Sequence, residues 1–192
     1  MTLPTEFLVY VAELLERLGI PYHVGGSVAS SAHGMYRASA DIDFVIDPTT
    51  IQLEALARAL EPGFYVSRSA MAEALSSRST FNAIHDETSF KIDFFIKGTA
   101  PFDAEELRRS IRQEVGGERG HAVLLKSPED TVLRKLEWFR RGGEVSERQW
   151  QDVLSILAAA RGQLDETYLE RWALELGIAD LLDRARREVA DL

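Results

Sequence analysis

Gly25-Gly26-Ser27 and Asp41-Ile42-Asp43 are the residues of this chain whose types and spacing suit chemistry best. A small-residue turn with a serine at the start of a helix offers free backbone N–H groups and a helix dipole to an anion such as phosphate. In an extended segment, residues two apart point to the same face. Asp41 and Asp43 are therefore expected side by side, with Ile42 and Phe44 facing the other way into a core. Neighbouring carboxylates repel each other unless a cation or hydrogen-bond donors neutralise them. A bound Mg²⁺ is the simplest neutraliser, and Mg²⁺ beside a phosphate cradle points to phosphoryl or nucleotidyl transfer.

The flanking elements must position these groups. Apolar residues at Phe7, Leu8, Val11, Leu14, Leu15 and Leu18 have helical spacing, and Gly19 and Pro21 stop that helix. Tyr22-His23-Val24 is β-prone and delivers the chain to Gly25-Gly26, after which 27–33 suits a short helix. A strand is expected at Asp41 to Ile46, a helix over 50–60, a short strand at 64–66 and a short helix at 70–75. Residues 79–85 and 89–97 predict two strands joined by Asp86-Glu87-Thr88. In the second, Lys91, Asp93, Phe95 and Lys97 alternate with Phe90, Ile92, Phe94 and Ile96. Asp93 takes the place of a third metal-site carboxylate if this strand neighbours the Asp41 strand. A short helix over 103–109 and strands near 111–115 and 121–125 follow. Ser127-Pro128-Glu129-Asp130 and Ser146-Glu147-Arg148-Gln149 start two further helices. Helical segments over 165–176 and 178–190 finish the chain. The expected organisation is a core over 1–126 and a helical region over 127–192 packed on it.

Composition sets outer bounds. The 192 residues carry a formal net charge of −9 and are 45% hydrophobic, which describes an ordinary globule able to bury a core. The negative charge argues against duplex nucleic acid as a partner, since that binding relies on a basic face. The absence of Cys excludes disulfides, thiolate metal sites and Cys nucleophiles. No apolar run approaches the roughly 20 residues that span a bilayer, and the start does not read as a signal peptide. A cytoplasmic protein with no membrane partner is the expectation. The four histidines lack metal-ligand spacing, and the serines lack a Gly-x-Ser-x-Gly context, so neither suggests another catalytic centre.

The ordered set Gly-Gly-Ser, then Arg37 and Ser39, then Asp41-x-Asp43 in a strand, then Asp93 in a later strand, resembles the nucleotidyltransferase superfamily with the DNA polymerase β type palm. Ser127-Pro-Glu-Asp-Thr-Val-Leu-Arg-Lys135 and Arg148-Gln-Trp-Gln-Asp152 are similar to helices of its minimal bacterial branch, which includes the AbiEii-type toxins. The resemblance implies an α+β fold: a small mixed sheet forming the palm, flanked by helices, with a C-terminal helical extension. It implies transfer of a nucleoside monophosphate from an NTP to a hydroxyl on a small molecule, a tRNA or a protein.

Site roles follow by position. Gly25, Gly26, Ser27 and Arg37 bind the nucleotide, with Gly26 and Ser27 on the β- and γ-phosphates. Asp41, Asp43 and Asp93 ligate two Mg²⁺ ions in the NTP complex, Asp93 lying near the acceptor hydroxyl as ligand or general base. Lys135 resembles the lysine placed near the phosphates. Asp152 resembles a later acidic residue of the toxin branch. This chain departs from the pattern in having Ser39-Ala40 before Asp41, where Thr is more usual, and in matching only part of the helix motif around Arg148 and Asp152. The alternative is an inactive nucleotidyltransferase-like module that binds a nucleotide or partner, as an antitoxin or sensor does. An antitoxin or a second copy is a candidate partner, with late apolar residues Leu174, Leu176, Ile178, Leu181 and Leu182 as a possible dimer surface.

Overall fold

The computed structural model describes residues 3–35, 41–115 and 121–191. The chain divides into two compact units, Met1–Val28 with Ala38–Lys126, and Ala29–Arg37 with Ser127–Leu192.

The first unit is built on a sheet of β1 (Tyr22–Val24), β2 (Asp41–Ile46), β3 (Phe64–Val66), β4 (Thr80–His85), β5 (Lys91–Ile96), β6 (Ile111–Val115) and β7 (His121–Leu125). Among the described residues the strand order is β3-β4-β5-β2-β1-β7-β6. The sheet is mixed: β2 runs parallel to β5 and β1 parallel to β7, and the other neighbours are antiparallel. Period-two alternation in β2 and β5 puts Ile42, Phe44, Ile46, Ile92, Phe94 and Ile96 on one face, all buried. Phe94 stacks between Phe44 and Phe81, with ring centroids 5.8 and 4.9 Å away. Leu8, Val11 and Leu15 of α1 (Leu3–Arg17) and Leu53, Leu56 and Leu60 of α3 (Thr50–Leu60) join this core, as do Met71 and Ala74 of α4 (Arg68–Ser77). The opposite face carries the charged residues of β2 and β5. Two more helices complete the chain's first 126 residues: α2 (Gly26–His33), within which the two units divide, and α5 (Pro101–Arg108).

The second unit packs α6 (Pro128–Arg141), α7 (Glu147–Ala159), α8 (Glu166–Glu175) and α9 (Ala179–Ala190) around Leu133, Leu136, Val153, Ile156, Leu169 and Leu181. Ser127 caps α6 as its sequence demands: its Oγ accepts from the Asp130 N–H at 3.1 Å, and Pro128 opens the first turn. The Ser127 hydroxyl also donates to Asp130 Oδ2 at 2.8 Å, and Tyr168 donates to Oδ1 at 2.6 Å, so the fully buried Asp130 is satisfied.

The α+β class, the mixed sheet and the C-terminal helices are therefore as expected. The late apolar segment differs. Ile178, Leu181 and Leu182 are 0%, 2% and 1% exposed and form the core of the second unit, leaving Leu174 alone of the expected dimer residues fully on the surface. A helical stripe that caps a bundle and one that meets a partner have the same spacing, so sequence could not separate them. Among the described residues no helix is long and apolar enough to cross a membrane.

Candidate functional site

The pairing of β2 with β5 sets the site. In the parallel register Asp43 lies opposite Asp93, and Asp41 lies opposite Lys91. The alternation that buries Ile42 and Phe44 turns all four of these residues to the other face, where each is half-buried. The condition for Asp93 to join Asp41 and Asp43, that its strand adjoin theirs, is thus met.

Lys91 reaches into this group. Its Nζ lies 2.6 Å from Asp93 Oδ2. The hydrogen bond to Asp93 holds the ammonium above the ordinary lysine range, and the charges of Asp93, Asp41 and Asp43 add to the effect. Among the described residues no three His, Asp or Glu side chains converge as a ready metal cage. In donor type and placement the three carboxylates nevertheless fit a hard divalent cation: all are oxygen ligands, adjacent, on one face and open to solvent. The Lys91 ammonium is a cation already standing among them.

The Gly-Gly-Ser turn adjoins the same carboxylates. The Gly25 N–H donates to the Asp43 carbonyl at 2.9 Å, carrying the β1–β2 ladder one residue beyond Val24. Gly26 has φ +52°, and a Cβ there would lie 1.6 Å from Asp43 Oδ2 and 2.6 Å from Cγ. Only glycine satisfies both the left-handed backbone and this approach. α2 begins at Gly26, so the positive end of its dipole opens beside Asp43. Ser27 is 5% exposed and its Oγ has no hydrogen-bond partner among the described residues. A buried hydroxyl left unpaired at a helix N-terminus is the kind of group a ligand satisfies.

Lys126 and Glu106 are additions that sequence reasoning missed. Lys126 follows β7, and its backbone N–H donates to the Val24 carbonyl at 2.9 Å. Its ammonium is buried, 3.0 Å from Glu106 Oε2 of α5 and 4.0 Å from where a Gly25 Cβ would stand. One row across the sheet thus reads Asn82, Asp93, Asp43, Gly25, Lys126. A lone lysine at a strand end and a glutamate on a helix carry no local signal, because only the fold pairs them. Lys91 had a signal: the alternation placed it on the Asp93 face.

The other predicted residues lie as follows. Lys135 belongs to the second unit, where its Nζ donates to Asp152 Oδ2 at 2.7 Å and to Gln149 Oε1 at 3.0 Å, joining α6 to α7. Arg148 is exposed on α7. Arg37 and Ser39 lie outside the described residues. Three histidines engage protein partners: His23 Nδ1 with Ser110 Oγ at 3.2 Å, His85 Nδ1 with Thr88 Oγ1 at 2.9 Å, and His121 Nδ1 with Glu13 Oε1 at 3.1 Å.

No protein-family model matches the sequence, and no curated protein matches it. Solved structures do match. An antigenic nucleotidyltransferase-like protein from Paracoccidioides brasiliensis superposes with a TM-score of 0.58 at 18% identity, over 95% of this chain and 91% of that one. The factor ANT(2'')-Ia in complex with adenylyl-2''-tobramycin gives a TM-score of 0.57 at 15% identity, over 91% of this chain and 97% of that one. The solution structure of the same antibiotic-resistance factor gives 0.53 at 18% identity, over 98% and 95%. The fold of this chain is the one these proteins share.

Proposed function

We propose that this chain, which has the nucleotidyltransferase-like fold, transfers a nucleoside monophosphate from an NTP to an acceptor hydroxyl, with Mg²⁺ as its cofactor. One observation carries the reading: Asp43 faces Asp93 in register while Gly26 of the phosphate turn packs directly on the Asp43 carboxylate. This contact supports a reading in which metal ligands and a phosphate cradle adjoin, as a nucleotide's α-phosphate and its β,γ tail require.

The chain's own residues do the following. The N–H groups opening α2 at Gly26 and Ser27 donate to the β- and γ-phosphate oxygens, and the Ser27 hydroxyl, which has no partner among the described residues, gains one in the complex. Lys126, held by Glu106, puts a positive charge beside Gly25, on the side of the turn away from Asp43. Arg37 and Lys135 are assigned to the triphosphate by the family resemblance alone. Asp93 orients the acceptor hydroxyl and takes its proton as the acceptor oxygen bonds to Pα and the Pα–O bond to pyrophosphate breaks. Asp41, Asp43 and Asp93 would hold Mg²⁺, which when bound neutralises phosphate charge and makes the hydroxyl a better nucleophile.

The adenylyl-2''-tobramycin held by ANT(2'')-Ia makes a small-molecule hydroxyl the first acceptor to try, ahead of a tRNA end or a protein side chain. The packing of the helical region 127–192 on the core 1–126, a cytoplasmic site of action and an antitoxin or second copy as partner belong to the same proposal.

Incubation with each NTP, Mg²⁺ and a pool of acceptors is expected to release pyrophosphate, and Asp41→Asn or Asp43→Asn to abolish the release. Pyrophosphate release at the wild-type rate in either variant contradicts the reading. Tight NTP binding with no release from any acceptor pool would instead make the protein a binding module.

A further inference from the structure

The sheet face that carries the carboxylates continues past them. β4 lies beside β5 on the side away from β2, and β3 lies beside β4. Directly paired residues share a face, so the register carries two rows of the site outward. One row runs Asp43, Asp93, Asn82. The other runs Asp41, Lys91, Ile84, Tyr65. The Gly-Gly-Ser turn adjoins Asp43 from the β1 side. Asn82, Ile84 and Tyr65 therefore lie across Asp93 from the phosphate turn, on the side where an acceptor must approach.

The core takes the alternate residues of both strands. Phe64 turns inward, its ring 5.7 Å from Phe7 and 5.1 Å from His85, and Phe81 and Ala83 are buried on the same side. That leaves Tyr65 63% exposed, Asn82 exposed and Ile84 half-buried on the carboxylate face. None of the three carries a formal charge. Asn82 offers both a donor and an acceptor to neutral hydroxyls, while Ile84 and Tyr65 offer an apolar and an aromatic surface. Strands lie about 4.8 Å apart, so Tyr65 stands roughly 10 Å across the sheet from β5. A sugar-sized ring followed by one aryl ring covers that span. Such side chains select a neutral compound over a polycation, whose amines are recognised by carboxylates.

We infer that this strip on β4 and β3 is the acceptor-binding surface, and that the acceptor is a neutral hydroxyl compound bearing an apolar or aromatic ring. Its reacting hydroxyl lies at Asp93, its polar ring is hydrogen-bonded by Asn82, and its apolar ring lies on Ile84 and Tyr65. Asn82 and Tyr65 are thus specificity-determining residues. This rests on the nucleotidyltransferase reading given above. All of the residues concerned belong to the first unit.

Binding tests the inference without reference to turnover. The protein is saturated with Mg²⁺ and an α,β-methylene nucleoside triphosphate, which cannot transfer its nucleotide, and titrated calorimetrically with phenyl β-glucoside, glucose and tobramycin. Phenyl β-glucoside is expected to bind about tenfold more tightly than glucose, and more tightly than tobramycin, through its ring. Tyr65→Ala should weaken phenyl β-glucoside about fivefold and leave glucose unchanged, and Tyr65→Phe should keep the preference. Asn82→Ala should weaken both sugars alike. Equal binding of the two sugars, tighter binding of tobramycin, no binding of any of the three, or an unchanged phenyl β-glucoside affinity in Tyr65→Ala would overturn the inference. With the nucleotide still bound, each of those results leaves the nucleotidyltransferase reading intact. Failure to bind any of the nucleotides would overturn that reading and this inference with it. If Tyr65→Ala does not fold, the wild-type preference and Asn82→Ala decide.

Discussion

Gly26 and Asp43 compete for one volume: a Cβ on Gly26 would fall 1.6 Å from Asp43 Oδ2, and the Gly26 backbone is left-handed at φ +52°. The turn proposed to bind phosphate and the carboxylate proposed to bind metal are therefore fitted to each other. Gly26→Ala is expected to lose about 1–3 kcal/mol in urea denaturation, from backbone strain and overpacking. It should also weaken Mg²⁺–ATP binding at least tenfold, because Asp43 must move. Gly26→Ala combined with Asp43→Ala should regain part of the stability, since the overlap with the carboxylate is removed while the left-handed backbone and a 3.1 Å approach to the Asp43 Cβ remain, without regaining binding.

Ser27 separates stability from function. Its hydroxyl is buried and has no hydrogen-bond partner among the described residues, so it carries a desolvation cost that none of them offsets. Ser27→Ala is expected to be neutral or to stabilise by up to about 1 kcal/mol. The same substitution should weaken binding of a nucleoside triphosphate several-fold and of the nucleoside hardly at all. Calorimetric titration with both ligands checks this.

The Lys126–Glu106 pair should show the asymmetry of buried ions. Both side chains are under a tenth exposed, at 8% and 4%. Lys126→Met removes the ammonium 3.0 Å from the buried Glu106 carboxylate and is expected to cost about 3–5 kcal/mol, whereas Lys126→Met with Glu106→Leu should recover most of the loss. Chemical denaturation measures both. If Lys126 also serves the phosphates, the stable double variant will still bind triphosphate more weakly than the wild type.

Tyr22 should make the first unit sensitive to alkali. Burial, assisted by the Glu16 carboxylate, pushes its hydroxyl up to about 12 against the lowering effect of its Leu124 hydrogen bond. An unfolded tyrosine ionises near 10, so between pH ~10 and ~12 the unfolded chain has lost a proton that the folded chain keeps. The Tyr22 contribution is thus fully present below pH ~10 and is lost as pH rises toward 12, with a slope near 1.4 kcal/mol per pH unit at most. Tyr22→Phe should cost about 1 kcal/mol at neutral pH through the lost bond to Glu16, and should flatten the alkaline slope. Urea denaturation on both sides of pH ~10 checks the sign.

Local signals in the sequence carried most of the element assignments. The period-two run at 41–46 became β2 with Ile42 and Phe44 buried, and Ser127-Pro128 became the cap of α6. The hairpin over residues 79–97 became β4 and β5 in antiparallel pairing. Non-local pairing was not legible. That β5 lies parallel to β2, with Asp93 on Asp43, depends on a crossover between segments distant in sequence and could be stated only as a condition. Lys126 finds Glu106 through the same long-range folding, and each is an unremarkable charge in the linear chain. Leu181 and Leu182 illustrate the converse: an apolar stripe was legible, but the partner that buries it was not.

Transfer of the α-phosphate itself is the most direct test of a nucleotide–metal site centred on Asp43 and Gly26. The protein is incubated with Mg²⁺, an acceptor pool and, in parallel, NTP labelled at the α- or the γ-phosphate. The expected result is label on an acceptor from the α-position only, dependent on Mg²⁺ and absent in Asp43→Asn. Label from the γ-position, or α-label that persists in Asp43→Asn, would contradict nucleotidyl transfer at this site.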